Sequence, residues 1–234
     1  MKGVSVTDTA AVTAGVDPRD RDIERWALLG GVVFPILYVI GTILLVGGSP
    51  DSGSLKFATY FADAGHRDRV HFGWIISGLS LFALIFFVAA LRDLIRRADG
   101  DGFLAGLASL GGGIYIAVSL ASVGLVHGIR TMSDDTYRHQ VFYGVLHAGD
   151  DASYVMHATG TAGMAAMILA ISLFALRTGV LPRWLAWVGF FAAICALASI
   201  IFFTTLFWLL WLLVVAVLLF VRATRTTGRR AAST

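Results

Sequence analysis

Apolar positions in this chain do not alternate with polar ones; they run unbroken. Five stretches, 27–46, 72–91, 103–126, 158–176 and 184–221, carry no Asp, Glu, Lys, Arg or His. Each is long enough to cross a hydrocarbon slab of about 30 Å, which takes about 20 helical residues. The last run decides the number of crossings. At 1.5 Å per residue it would form a helix of roughly 57 Å, nearly twice the slab, so it is expected to fold back as a hairpin. The turn is expected at Phe202, Phe203, Thr204 and Thr205, with Trp208 and Trp211 as interfacial aromatics beside it.

Positive charge tests that choice. With six spans and the N-terminus inside, the cytoplasmic segments hold thirteen of the 18 basic residues, including Arg19, Arg21, Arg25, Arg92, Arg96, Arg97 and the four C-terminal arginines from Arg222. The outer segments hold Lys56, Arg67, Arg69, Arg130 and Arg138. A single last span would split the basic residues evenly, so the positive-inside rule favours six. The expected fold is an all-α, polytopic bundle of six transmembrane helices in the cytoplasmic (inner) membrane, both termini cytoplasmic. Residues 1–25 form a mostly disordered cytoplasmic segment, 26–221 the membrane domain and 222–234 a basic tail. Asp17 and Pro18 read as an N-cap followed by proline at a first helical position.

The outer connections are the longer and more polar ones. Residues 54–64 read as an amphipathic helix lying in the headgroups, with Leu55, Ala58, Phe61 and Ala62 on its apolar side. Pro35, flanked by Gly30, Gly31 and Gly41, is expected to kink the first span. Gly102, Gly106, Gly111, Gly112 and Gly113, with Ser119 and Ser122, give the third span the small residues that allow close helix packing. The second and fourth spans both end in Ala-Leu-Arg, at Arg92 and Arg177, and both begin with a histidine, His71 and His157. A duplicated two-helix unit would produce that pattern; so would any pair of spans running the same way and ending on arginine.

Composition narrows the classes. At 57% apolar and 14% charged, with mean hydropathy +0.79, the chain is no water-soluble globule. The net charge of +3 sits beside the spans and forms no aromatic-interleaved basic patch, so topology explains it better than nucleic acid does. A lone Cys195 excludes an internal disulfide. Glu24 is the only glutamate and lies far from every histidine, which removes the zinc-protease helix. No nucleophile elbow or phosphate loop is present.

Candidate chemistry gathers at the outer ends. Around the start of the fourth span lie His147, Asp150, Asp151, Tyr154, His157 and Thr161. At 100° per residue from His147 they fall at about 0°, 300°, 40°, 340°, 280° and 320°, one stripe roughly 120° wide. Ionisable groups at membrane depth turn to a bundle interior or a watery cavity. Three readings stay open. The residues cap helix ends and meet headgroups; or His147, Asp150, Asp151, Tyr154 and His157 bind or relay protons for a non-enzymatic solute pathway or sensory subunit; or His71, His157, Asp150 and Asp151 hold zinc, or His71 and His157 a haem, in a membrane enzyme. The non-enzymatic reading leads. Cofactors are otherwise open, and the bilayer is the first partner, with a second copy or another membrane protein able to pack on the small-residue faces.

The segment Arg177, Thr178, Gly179, Val180, Leu181, Pro182, Arg183, Trp184, Leu185, Ala186 resembles one preceding the last helix pair in a group of bacterial six-helix membrane proteins defined only as a domain of unknown function. Ala186 stands where that group usually has glycine. An arginine-bearing stretch, here Arg67 and Arg69, leading into a span that ends in Leu-Arg is similar too. The resemblance implies a helical bundle in a bacterial membrane and transfers no activity or site residue.

Overall fold

The computed structural model describes residues 18–51, 54, 56–99, 102–132, 143–199 and 201–231. Among them the chain is all helical: α1 (Pro18–Val46), α2 (Lys56–Phe61), α3 (Ala64–Asp99), α4 (Gly102–Thr131), α5 (Tyr143–Thr178), α6 (Arg183–Leu197) and α7 (Phe202–Ala231). Five of these, α1, α3, α4, α5 and α7, are long and apolar enough to cross a membrane. The short α6 is apolar too, and its 15 residues rise about 22 Å.

The six long or medium helices close into a ring. Going round it, α1 packs on α3, α3 on α4, α4 on α5, α5 on α6, α6 on α7, and α7 back on α1, while α2 rests on α3. A ring of this kind lets each helix turn one stripe inward and the remainder to lipid, which is why Phe72, Phe82, Phe103, Leu110, Trp187 and Leu210 are exposed without penalty in an apolar solvent.

Glycine sets the closest approaches. Gly111 on α4 and Gly163 on α5 face each other so tightly that a Cβ on Gly111 would lie 2.6 Å from the Gly163 carbonyl oxygen. Gly30 and Gly41 let α1 lie against Ala83 and Ser77 of α3, and Gly189 seats α6 against Ser172 and Trp211. Gly112 packs under Val88 and Met167, but Gly102, Gly106 and Gly113 meet nothing within 4 Å, so the expected contact stripe of the third span is narrower than its glycines suggested. Pro35 lies inside a continuous α1, which begins at Pro18 and enters the span without a break.

The hairpin in the last apolar run is present, with its bend earlier than expected. Helix α6 ends at Leu197 and α7 starts at Phe202, so the bend falls between them and Thr204 and Thr205 stand inside the next helix. Chain ends of helices leave carbonyls without intrahelical partners. Thr204 supplies one, its hydroxyl donating to the Ala198 carbonyl at 2.9 Å. Trp208 and Trp211 are not interfacial: both are buried, donating Nε1–H to Ser199 Oγ and to the Leu185 carbonyl, each at 3.0 Å. Gly179, with φ +66°, turns the chain out of α5 toward Pro182.

Gly111→Ala should destabilise the bundle by about 1–3 kcal/mol, because the added methyl meets backbone that cannot rotate away. Gly113→Ala, which adds the same methyl to open space, should be neutral or stabilising by up to about 1 kcal/mol through helix propensity. Thermal unfolding of both variants in mild detergent checks the contrast; equal effects would contradict the packing described.

Candidate functional site

The ring is tight at one end and wider at the other. At the end where 47–63 and 132–142 connect the helices, a cavity of about 520 Å³ lies between α1, α3, α4, α5 and α7. Its walls are mostly aliphatic, with Val39, Leu81, Val123 and Leu209 among them, and are crossed by a row of hydroxyls from Thr42, Ser77, Ser119, Ser122, Ser153, Ser199 and Thr205. Aromatic side chains close its inner end. Tyr115 and Trp208 meet edge to face with centroids 5.8 Å apart, Phe34 packs on Tyr115 at 6.2 Å, and all three are fully buried.

Just above that floor His157 meets Tyr38. The Tyr38 hydroxyl and His157 Nε2 are hydrogen-bonded at 2.9 Å, and the two rings stack with centroids 5.9 Å apart. At the opposite end of the cavity Arg130 dominates. It is only 4% exposed, yet it carries a guanidinium. One nitrogen donates to the Leu45 carbonyl at 2.6 Å and to Ser49 Oγ at 3.3 Å, and another donates to Asp150 Oδ1 at 2.8 Å. Phe57 and Phe61 of α2 each hold a ring 5.5 Å from its centre, which adds cation–π attraction and excludes water.

Helix α2 is thereby a lid on Arg130. Phe57 and Phe61, four residues apart, turn inward onto Leu45, Val70, Ile129 and Leu146. The apolar side expected for this segment included Phe61 but not Phe57, and it faces the bundle; the side chains of Leu55 and Ala58 lie outside the described residues. Arg67 closes the lid's C-terminal end, donating to the Phe61 and Ala62 carbonyls at 3.0 and 2.7 Å.

The stripe on α5 divides. Asp150 and His157 line the cavity, Tyr154 stands at its rim with half its surface exposed, and Thr161 is buried deeper, its hydroxyl donating to the Ala158 carbonyl. His147 and Asp151 lie outside the cavity and face one another, Nε2 to Oδ2 3.6 Å, with exposed side chains. The inward face of α5 is centred near Leu146, Ser153 and Gly160, all buried, so the polar arc is rotated to one side of it and its far edge meets solvent or headgroups.

The four donors expected for a metal are engaged separately. His71 pairs with His127 across α3 and α4, Nδ1 to Nε2 2.7 Å, in an exposed position against Trp74. His157 holds Tyr38, Asp150 holds Arg130, and Asp151 faces His147. Among the described residues no three His, Cys, Asp or Glu side chains come together as a metal-binding group. His71 and His157, alike in sequence position, occupy unlike surroundings. His139 lies outside the described residues.

Sequence reasoning did not single out Arg130, Tyr38, Ser77 or Ser153. Arg130 entered only as one outer positive charge. Its signal was available: an arginine one turn beyond an apolar span, matched by an aspartate at the start of the next. Ser122, assigned to packing, donates to the Ser153 carbonyl at 2.7 Å and so ties α4 to α5 within the cavity wall. No family model matches the chain, and no curated protein or solved structure matches it significantly.

Breaking the Arg130–Asp150 pair from one side leaves a charge uncompensated in an apolar setting. Asp150→Asn and Arg130→Met should each lower stability by about 3 kcal/mol, and the double variant Arg130→Met with Asp150→Leu should recover part of that loss. Denaturation of the purified variants measures the cycle; strictly additive losses would mean the pair does not act as a unit.

Proposed function

We propose that this chain is a six-span protein of a bacterial cytoplasmic membrane, both termini cytoplasmic, that binds a small molecule in the cavity without transforming it, as a sensory or solute-handling subunit. The observation that carries the reading is the cavity itself: about 520 Å³, mostly apolar with a few convergent polar groups, and blind. Those are the proportions of a ligand site. The fully buried floor of Phe34, Tyr115 and Trp208 favours binding over a through-going channel or proton wire. The cavity-lining residues, His157, Asp150 and Tyr154, are the binding residues in this reading, with His147 and Asp151 as an outer rim.

Six crossings rest on the ring. Helix α6 is shorter than the slab but returns the chain between α5 and α7, so that α7 runs antiparallel to it. Together with the distribution of arginine this supports a cavity on the outer side. The likeness of residues 177–186 to bacterial six-helix membrane proteins agrees.

Cysteine mapping tests the proposal in a Cys195→Ala background. A membrane-impermeant maleimide added to intact cells should label Lys56→Cys, and should label Gly102→Cys only after lysis; the reverse pattern inverts the topology. In membranes, N-ethylmaleimide should react with Ser119→Cys at least tenfold faster than with Ala108→Cys, which sits in the packed core. Equal rates would mean that the cavity receives no small molecule.

A further inference from the structure

The cavity is roofed from above and open at the side. The roof is Arg130 with α2 pressed on it. The side opening follows from helix lengths measured from the aromatic floor. Helix α4 continues 16 residues past Tyr115 and α5 begins 14 residues before His157, roughly 24 and 21 Å at 1.5 Å per residue. Helix α7 begins only six residues before Trp208, about 9 Å above the same floor, and its turn from α6 lies there. The α6–α7 hairpin therefore stops well short of its neighbours, and among the described residues no helix walls the space above it between α1 and α5.

The residues that edge this gap both line the cavity and face outward: Ile43 and Val46 on α1, Leu206 on α7 and Tyr154 on α5. Three of the four are aliphatic. In a membrane that opening faces acyl chains, and an apolar portal onto hydrocarbon admits what is dissolved in hydrocarbon.

Inside, the polar groups define a head. Ser119 is 1% exposed and belongs to the cavity lining, with the hydroxyl of Tyr115 as its neighbour. Arg130 Nε–H is buried without a partner, although the other guanidinium nitrogens are bonded. A buried donor without an acceptor costs stability, so Arg130 Nε–H is met best by an oxygen that accepts. The charge of Arg130 is already answered by Asp150 at 2.8 Å, so a second anion here would bring an uncompensated charge into an apolar cavity.

We propose that the cavity binds a neutral, oxygen-bearing lipid with a single apolar chain, taken up sideways from the bilayer through the gap above the α6–α7 turn, its head between Arg130 and His157 and its chain leaving past Ile43 and Leu206. This rests on the cavity being a ligand site, as proposed above, and names the ligand's class and route.

The full chain in lipid nanodiscs tests it, with a tritiated decyl-tailed benzoquinone as the probe and decanoate as its anionic counterpart. The quinone should bind saturably, one per chain, and decanoate at least tenfold more weakly. Ser119→Phe, which fills the cavity, should weaken binding at least tenfold. Ile43→Trp, an exposed substitution that folding tolerates, should slow association at least tenfold, while Val33→Trp, exposed on α1 away from the gap, should not. Absence of saturable binding while Ser119→Cys still reacts with maleimide would overturn the lipid class and leave the cavity standing. Tighter decanoate binding would overturn the neutral head. Equal association rates for Ile43→Trp and Val33→Trp would overturn the side route.

Discussion

A guanidinium buried among apolar helices organises one whole end of this molecule. Arg130 cannot lose its proton, so the chain must surround it with acceptors and an opposite charge, and each of these comes from a different element. Helix α1 ends where its Leu45 carbonyl, released from the intrahelical ladder, meets the guanidinium. Helix α5 starts early enough to bring Asp150 against it, and α2 exists as a six-residue turn whose two phenylalanines cover it. The ends of α1, α4 and α5 and the lid are thus held in register by a single side chain.

That register creates the cavity. At the opposite end of the ring, Gly111 against Gly163 and Gly30 against Ala83 bring helices into backbone contact, and the core fills with Leu84, Phe87, Met167 and Ile171. Toward Arg130 the helices are spaced by an arginine, an aspartate and two stacked rings, which are wider than glycine. Close packing on one side of the Tyr115 and Trp208 layer and polar spacing on the other make a blind cavity without any need for a kink at Pro35.

The helices were legible because a span has one requirement, a run of apolar residues long enough for the slab, and all five runs became helices. Facing was less legible. The arc from His147 to His157 was drawn from polarity alone, but burial on α5 follows Leu146, Ser153 and Gly160, and small residues that pack score as weakly as residues that merely fill space. The same blindness extended to Gly102, Gly106 and Gly113 the packing role that Gly111 and Gly112 hold. Trp208 and Trp211 were read as interfacial from their composition, whereas each finds an internal acceptor for its N–H, which only three-dimensional neighbours reveal. Arg130 was hidden by its usefulness to a different rule: counted as charge, it entered an argument about topology that said nothing about what it touched.

Polar satisfaction separates the site from the scaffold. In a low-dielectric bundle a hydroxyl is tolerated when it bonds a carbonyl of its own helix, and most here do so: Ser109 to Ala105, Thr161 to Ala158, Ser172 to Ile168 and Thr178 to Phe174. Others cross between helices and join them, as Ser80 does to Phe34 and Ser122 to Ser153. The groups on the cavity side of α4 are of a third kind. Tyr115, Ser119 and Arg130, spaced by four and eleven residues, share one face of that helix; the Tyr115 hydroxyl meets those of Ser119 and Tyr38, and Arg130 Nε is the one of the three left without an acceptor. Hydroxyls that answer carbonyls or one another leave the remaining hydrogen-bonding capacity of this face at Arg130, where a ligand would use it.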